Sequence, residues 1–428
     1  MFVIANVRIE LNGPVYSILI GNTGKIINIT SQAIKVADNA QNFDGRGALV
    51  LPAGVDPHVH FRCPGGEHKE DWRTGADAAL AGGMTTVFDM PNTDPPLTTL
   101  KALEEKLAMV GQPKIDFRFW FGATVNNLKD IQTVAEHPAI IGVKVYMGSS
   151  TGDLLVTDER ALRLIFQTCA DLDLIVGMHA EDENIIWDCR KKLGQEEPKI
   201  FAHGMLRPPK AELVAVERAL RLQKQTGCRL YFCHISTPEA LKVIWDAKQK
   251  GAAVYAEVCP HHLFLDEGEL VRANGGCFKV NPPLRAPDQV KRMLRLVCQD
   301  GFVDTFGSDH APHTLEEKTA DDYDSVPSGI PGVQTSFGLL FSLVMSGQMS
   351  KERFCALTSG NAAKIFRLTE KGAIQSGLNA DLVIVDPQPS WLIQNSSMRS
   401  KCGWTPFHGH TVRGKIIAVF TKGKLWRF

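Results

Sequence analysis

The chain has 428 residues, of which 47 are Lys or Arg and 47 are Asp or Glu, so its formal net charge is zero. This balance argues against the basic footprint of a nucleic-acid-binding protein and against an acidic disordered tail. Hydrophobic residues make up 44% of the chain and charged residues 22%, which is typical of a packed globular protein. The ten cysteines include no CxxC pair, which favours a reducing compartment over a disulfide framework.

The apolar segments near the start of the chain and near residue 340 do not indicate membrane targeting. Arg8 and Glu10 interrupt the first apolar run, and the alternation around them is typical of a strand rather than a signal peptide. The most apolar later window, 337–345, is about half as long as a membrane span. We therefore expect a cytoplasmic protein with a small-molecule substrate and no membrane or nucleic-acid partner.

The middle of the chain alternates between short β-branched or aromatic runs and amphipathic stretches. One amphipathic stretch, 211–226, has apolar residues at helical spacing and ends before Gly227, a helix stop signal. Eight strands separated by helices predict a (β/α)8 barrel. A doubly wound open sheet is the alternative, but no GxGxxG motif follows a strand. The predicted strands are 53–61, 85–90, 117–124, 140–147, 174–179, 230–235, 253–258 and 303–307.

The two ends of the chain are rich in strand-like segments and turns. Each end is too small to form a strong core alone, and the termini of a domain often lie close together. We therefore predict that residues 1–51 and 371–428 form one small β-sandwich beside a barrel that spans 52–370.

The segment VDPHVHFR predicts a metal site. His58 and His60 are two residues apart in a strand, so they face the same side, as two ligands of one metal must. Zinc favours imidazole nitrogen, and a catalytic zinc keeps one position open for water. A second HxH, formed by His408 and His410, lies in a loop beyond the barrel, and we interpret it as a surface or packing pair.

Further chemically active residues lie on other barrel strands. His179, His234 and Asp309 each end a predicted strand, and Lys144 lies inside one. The C-terminal ends of the strands form the face on which barrel active sites are built. Burial lowers the pKa of a lysine, and a neutral amine can take up carbon dioxide to give an anionic ligand that bridges two metals. Pairing of Lys144 with a nearby carboxylate is the alternative, and spacing alone favours it.

Several motifs together resemble the cyclic amidohydrolases, and dihydroorotases in particular. They are HVHFR, GADAALAGGMTTVFDMPNTDPP, GVKVYMG, HAED, CHIST, VCPHHL, KVNPPLR and SDHAPHTLEEK, across roughly residues 43–385. The resemblance implies two Zn²⁺ per chain, bridged by carboxylated Lys144, and a homodimer. The metal ligands that it implies are His58, His60, Lys144, His179, His234 and Asp309. The substrate-binding residues that it implies are Arg62, Asn92, Asn281 and His313.

The reaction implied by the resemblance is the reversible cyclisation of N-carbamoyl-L-aspartate to L-dihydroorotate in de novo pyrimidine biosynthesis. In the ring-opening direction, a metal-bridged hydroxide attacks the ring carbonyl, and Asp309 carries its proton to the leaving nitrogen. Arg62 offers a planar fork for the substrate carboxylate. The alternatives are another cyclic amidohydrolase (an allantoinase, hydantoinase or dihydropyrimidinase) or a non-catalytic dihydroorotase-like subunit.

The loop MGSSTGDLL after Lys144 has the small, hydroxyl-bearing composition of a lid. A loop at this place covers the substrate in the family that the chain resembles, so Ser150 and Thr151 are candidate contacts. A plain Gly/Ser turn is the alternative. Cys233 precedes a predicted ligand on its strand, so we expect it to face away from the site, as a core residue.

Overall fold

The fold is built from two sheets and the helices that surround one of them. The computed structural model describes residues 1–32, 34, 41–150, 154–194, 197–299 and 301–428. One sheet has eight parallel strands, and the other combines strands from both ends of the chain. The predicted barrel with a small β domain from the two terminal segments is therefore confirmed. The domain bounds at residues 52 and 370 stay a prediction.

The strands lie where the sequence predicts them. In chain order they are β1 (Phe2–Arg8), β2 (Val15–Ile20), β3 (Ile26–Thr30), β4 (Gln41–Asp44), β5 (Leu49–Pro52), β6 (Gly54–Val59), β7 (Met84–Asp89), β8 (Asp116–Gly122), β9 (Ile140–Tyr146), β10 (Ile175–His179), β11 (Arg229–Phe232), β12 (Val254–Val258), β13 (Thr305–Phe306), β14 (Leu382–Leu392), β15 (Thr411–Thr421) and β16 (Lys424–Trp426).

Strands β6 to β13 follow one another around the barrel in chain order. The barrel closes where the end of β6 meets the segment after β13. Val59 and His310 form a parallel bridge there, and the His60 amide donates a 2.7 Å hydrogen bond to the His310 carbonyl. Closure brings the first and last predicted strand ends together on one rim.

Most of the longer helices connect consecutive barrel strands. The longest, α7, ends as predicted, because Gly227 adopts the left-handed conformation at φ 70°. The helices are α1 (Trp72–Ala81), α2 (Leu100–Val110), α3 (Leu128–Val134), α4 (Glu159–Asp171), α5 (Glu183–Lys192), α6 (His203–Leu206), α7 (Pro209–Thr226), α8 (Pro238–Gln249), α9 (His261–Phe264), α10 (Pro287–Cys298), α11 (Leu315–Lys318), α12 (Ser336–Met345), α13 (Lys351–Cys355) and α14 (Asn361–Ile365). Within the described residues, none combines the length and the apolar character that crossing a bilayer requires.

The terminal sheet joins both ends of the chain through the antiparallel pair β5–β14. It curls around a core of its own, because Phe420 on β15 packs edge-on against Phe2 and Phe43, with ring centroids 5.5 and 5.8 Å away. The connection between β14 and β15 leaves the sheet and crosses to the barrel. There the indole Nε1 of Trp404 donates a 2.8 Å hydrogen bond to the His313 carbonyl.

Aromatic side chains fill the barrel interior. The Trp120 ring lies inside it, where its Nε1 donates to the Pro57 carbonyl at 2.9 Å. Gly142 and Gly177 make room for this ring, since a Cβ on either would come within 2.8 Å of it. Tyr231 lies beside Trp120, with 5.8 Å between ring centroids. This packing helps to hold the strand ends above it at fixed positions.

Candidate active site

A small, partly enclosed cavity lies on the rim where the barrel strands end. All six predicted metal ligands line it, as do the predicted substrate residues Arg62, Asn92 and Asn281 and the lid candidate Ser150. Tyr146, Ala311, Ser328 and Gly329 complete the lining among the described residues. Thr151, the other lid candidate, lies outside the described residues.

One group of ligands comes from β6 and the segment after β13. A single carboxylate oxygen, Asp309 Oδ1, lies 3.2 Å from His58 Nε2 and 3.1 Å from His60 Nε2. The other ring nitrogen of each histidine has a partner of its own. His58 Nδ1 lies 2.8 Å from Glu257 Oε1, and His60 Nδ1 lies 2.7 Å from Asn92 Oδ1. Such outer contacts fix the orientation of metal-binding imidazoles.

Glu257 on β12 is a site residue that the sequence reasoning missed. Its buried carboxylate accepts hydrogen bonds from the Tyr231 hydroxyl at 2.7 Å and from the His234 amide at 2.9 Å, besides its contact with His58. Glu257 thus contacts His58 of the first group and also His234, which belongs to the second group of ligands described next. A carboxylate inside the apolar run AAVYAEVC was the available signal, because a buried charge needs a specific partner.

The second group of ligands comes from β10 and from the segment after β11. His179 Nδ1 faces His234 Nε2 at 3.1 Å. On its other side, His179 Nε2 lies 2.9 Å from Glu181 Oε2. Glu181 belongs to the HAED motif, and its role as the partner of His179 was not predicted. The two imidazole nitrogens that face each other are positioned to share one ion.

Lys144 on β9 is fully buried between the two groups. Its Nζ lies 3.0 Å from Cys233 Sγ and 5.2 Å from the centroid of the Tyr146 ring. Within the described residues, no carboxylate oxygen lies within 4.0 Å of this amine, so the carboxylate pairing that spacing favoured is not observed. The predicted direction of Cys233 is wrong, because its Sγ lies against the Lys144 amine, whereas its burial in the core is as expected.

Arg62 lines the same cavity as the predicted metal ligands. Its Nε donates to the Pro312 carbonyl at 3.1 Å, and its Nη2 lies 3.0 Å from His313 Nε2. Burial lowers the pKa of Arg62 to about 10, with Asp309 opposing the shift, so the guanidinium stays charged at neutral pH. A buried cation beside the metal ligands can bind an anionic group of a small molecule.

His313 lies behind Arg62 and does not line the cavity. Its Nδ1 lies 3.1 Å from Lys69 Nζ, and its Nε2 is 3.2 Å from the Ser328 carbonyl oxygen as well as close to Arg62. Burial holds the pKa of His313 well below its usual range, and the charge of Arg62 lowers it further. The structure thus places this neutral imidazole where it orients Arg62.

Three site residues have unusual backbone conformations. Arg62, His234 and Asp309 adopt φ values of 59°, 37° and 45°. Non-glycine residues rarely occupy this left-handed region, and they do so at a cost of about 1–3 kcal/mol that surrounding contacts must offset. The chain therefore aims these side chains into the cavity at some expense in stability.

The electrostatics of the site suit a metal ion. Burial alone would lower the pKa of His58, but the charges of Asp309 and Glu257 raise it to about 10. These carboxylates thus favour positive charge at this point. Burial lowers the pKa of His60 to about 3, and a neutral imidazole is the form that binds a metal. Imidazole nitrogens with carboxylate oxygens are a donor set that zinc accepts, so the residues fit the metal.

Comparisons with known proteins agree with this site. The Amidohydrolase family matches residues 49–426. The chain belongs to the amidohydrolase family. It is a hydrolase that acts on cyclic amides.

Similar proteins cover nearly the whole chain. A dihydroorotase of Halobacterium salinarum is 39% identical over 362 residues, which are 84% of this chain and 82% of that protein. A dihydroorotase of Methanosarcina acetivorans is 38% identical over 419 residues, 95% of this chain and 88% of that protein. The L-hydantoinase (dihydropyrimidinase) from Arthrobacter aurescens has a similar structure, with a TM-score of 0.92, 30% identity, and 99% of this chain and 95% of that chain covered.

Proposed function

We propose that the protein is a zinc-dependent dihydroorotase, which interconverts L-dihydroorotate and N-carbamoyl-L-aspartate in de novo pyrimidine biosynthesis. The observation that carries the proposal is the buried Arg62 guanidinium, which lines the same cavity as the metal ligands. Dihydroorotate carries a carboxylate beside its ring amide, whereas dihydrouracil and hydantoin carry none. The dihydroorotases among the relatives support the same assignment.

The proposed metal centre holds two zinc ions. His58, His60 and Asp309 would hold one, and His179 and His234 the other, with Lys144 between them as its carbamate. When bound, the pair supplies Lewis-acid polarisation and lowers the pKa of water. The carbamate forms when the neutral amine attacks carbon dioxide, which makes a C–N bond and releases one proton to solvent.

The residues of the chain divide the rest of the reaction between them. Arg62 binds the carboxylate in a planar fork, which fixes the position of the ring. Asn92 and Asn281 contact the polar edges of the ring. The Asp309 carboxylate accepts the proton of the attacking water as a general base. It then donates that proton to the ring nitrogen as the C–N bond breaks.

A second candidate is a hydantoinase or dihydropyrimidinase activity. The shape of the protein favours it, because the Arthrobacter enzyme matches 99% of the chain at a TM-score of 0.92. Its ring substrates need the same metal chemistry but no partner for a carboxylate. Arg62 would then have no substrate group to bind, which is why we place this candidate second.

Ring opening by the purified, zinc-loaded protein tests the proposal. The loss of ultraviolet absorbance is followed for L-dihydroorotate, dihydrouracil, hydantoin and allantoin. We expect a strong preference for dihydroorotate. Turnover of only an uncharged ring would overturn the substrate assignment, and no turnover with two metals bound would indicate the non-catalytic subunit. The homodimer and the cytoplasmic location stay predictions.

A further inference from the structure

Arg207 lies between α6 and α7 and is almost completely buried. Its guanidinium faces the carboxylate of Glu181, which is fully buried. Arg207 Nη2 donates to Glu181 Oε2 at 2.6 Å, and Arg207 Nε donates to the same oxygen at 3.1 Å. This paired contact uses the planar fork that distinguishes arginine from lysine.

The same Glu181 oxygen determines how His179 faces the metal site. Glu181 Oε2 lies 2.9 Å from His179 Nε2, which leaves His179 Nδ1 to face His234. Arg207 is therefore connected to a proposed ligand of the second metal through one intervening carboxylate. Removing such an outer partner typically costs about 10- to 100-fold in metal affinity.

Arg207 also holds the segment that enters the cavity after β9. Its Nη2 donates to the Ser149 carbonyl at 2.6 Å, while the Ser149 amide donates to Glu183 Oε2 at 2.6 Å. The next residue, Ser150, lines the cavity. One guanidinium thus contacts both the support of a metal ligand and the backbone beside a cavity residue.

The backbone of Arg207 is fixed in turn. Its carbonyl accepts a 2.7 Å hydrogen bond from Nη1 of the buried Arg285, whose Nε donates to Ser236 Oγ at 3.0 Å. Arg207 is therefore held through its backbone as well as through its guanidinium. A guanidinium held in this way is suited to keeping its two acceptors, the Glu181 carboxylate and the Ser149 carbonyl, at a constant distance from each other.

We propose that Arg207 is a positioning residue that couples the second metal site to the cavity segment at Ser149 and Ser150. This inference rests on the proposed function, because it assumes that the two metals are bound. Through Glu181, Arg207 sets the orientation of His179, and through the Ser149 carbonyl it sets the position of Ser150. The two effects differ in their direct contacts, because Arg207 itself donates to the Ser149 carbonyl, whereas Glu181 reaches that carbonyl only through Arg207.

The test compares Arg207→Lys with Glu181→Gln. The lysine variant keeps the charge but loses the fork. The glutamine variant weakens the support of His179 and keeps one side-chain oxygen as an acceptor for Arg207. Arg218→Lys is the matched control, since Arg218 lies on α7 and donates to the Thr157 carbonyl at 2.7 Å, away from the cavity. Zinc retained against a competing chelator, the melting temperature, kcat and KM are measured for each protein.

We expect both site variants to retain the second zinc about 10- to 100-fold less tightly, with the first zinc kept. Arg207→Lys should raise KM more than Glu181→Gln does, because only it changes the donor to the Ser149 carbonyl, and Arg218→Lys should match the wild type. Wild-type zinc retention in folded Arg207→Lys would overturn the proposal, and an unchanged KM would overturn its second half. Zinc retention needs no substrate, so a wild type with two zinc ions that does not open dihydroorotate would refute the proposed function alone.

Discussion

The two walls of the cavity are built in different ways. The proposed metal-ligand wall consists of side chains on barrel strands or within three residues of their C-terminal ends, and its outer partners Glu181 and Glu257 lie just after β10 and on β12. The proposed carboxylate-binding wall is Arg62, which His313 contacts from behind, and both residues lie on loops. His313 is connected to Trp404, which is 91 residues away in sequence. The barrel strands therefore position the proposed metal ligands, while a segment distant in sequence supports the proposed partner of the substrate carboxylate.

This difference predicts a division in kinetics. Changes on the metal-ligand wall should reduce metal content or kcat for every ring substrate. Changes on the carboxylate-binding wall should raise KM for dihydroorotate and have little effect on uncharged rings. The first four variants below test this division and the fifth tests how the segment between β14 and β15 is attached, from the largest expected effect to the smallest.

Lys144→Met should abolish turnover of every substrate, because the bridging ligand cannot form without the amine. The zinc content, measured by inductively coupled plasma mass spectrometry, should fall below two ions per chain. Lys129→Met, which changes an exposed lysine, is the control and should keep both metals and activity. Two tightly bound zinc ions and normal turnover in Lys144→Met would refute the bridging role.

Asp309→Asn should lower kcat by roughly 100- to 10,000-fold, the range for loss of a general acid–base group. The fold and most of the metal content should remain, as circular dichroism and zinc analysis would show. Asp321→Asn removes an exposed carboxylate and should behave as the wild type. If activity survives in Asp309→Asn, the proton-shuttle role is wrong.

Arg62→Lys should raise KM for dihydroorotate by about 10- to 100-fold, since a hydrogen-bonded charge pair contributes about 1.5–3 kcal/mol. Lysine keeps the charge but lacks the planar fork. The measurement is KM for dihydroorotate and for dihydrouracil in the same variant. Equal losses on both substrates would mean that Arg62 supports the fold of the site and does not bind the carboxylate.

Trp404→Phe removes the indole donor to the His313 carbonyl but keeps an aromatic ring in the core. The lost hydrogen bond is worth about 1 kcal/mol, so we expect KM for dihydroorotate to rise about fivefold, with kcat little changed. Trp187→Phe is the control, because Trp187 is 65% exposed. A wild-type KM in Trp404→Phe would show that the segment between β14 and β15 does not influence the carboxylate-binding wall.

Asp71→Ala tests the attachment of the same segment at acid pH. Asp71 caps α1 and forms an ion pair with Lys401. Burial opposes the shift, but hydrogen bonds from Lys401 and Thr74 lower the pKa of Asp71 to about 2 from 3.8. Because this pKa is lower in the folded than in the unfolded protein, the ionised carboxylate stabilises the fold at pH values above the unfolded pKa. The stabilisation is lost as pH falls from about 4 to about 2.

The free energy of unfolding of Asp71→Ala should therefore be lower by about 1 kcal/mol at pH 6, the usual cost of removing a helix N-cap. Urea denaturation of both proteins at pH 6, 4 and 2.5 should show this difference shrinking with acid. A difference that stays constant from pH 6 to pH 2.5 would contradict the role of the ionised carboxylate.

The sequence allowed one wall of the site to be predicted much better than the other. His58, His60, His179, His234 and Asp309 follow from the rule that barrel strands present their C-terminal ends on one face. Cys233 was misplaced because alternation was applied to both it and His234. Tyr231 and Cys233 do alternate inward, and it is His234, at φ 37°, that departs from strand geometry.

Other parts of the site could not be predicted because they depend on tertiary contacts. The contact of His313 with Arg62 joins residues 251 positions apart. Glu181 and Glu257 were visible as carboxylates, but their partners become known only when the strands are placed side by side. The likeness to dihydroorotases pointed to Arg62 and His313, whereas spacing and periodicity did not.

A crystal structure of the zinc-loaded protein with L-dihydroorotate, with anomalous data collected at the zinc edge, tests the central claim most directly. We predict two zinc peaks, one at His58, His60 and Asp309 and one at His179 and His234, with the substrate carboxylate bound to Arg62. A substrate carboxylate bound to the metals and turned away from Arg62, or no zinc among these histidines, would contradict the account.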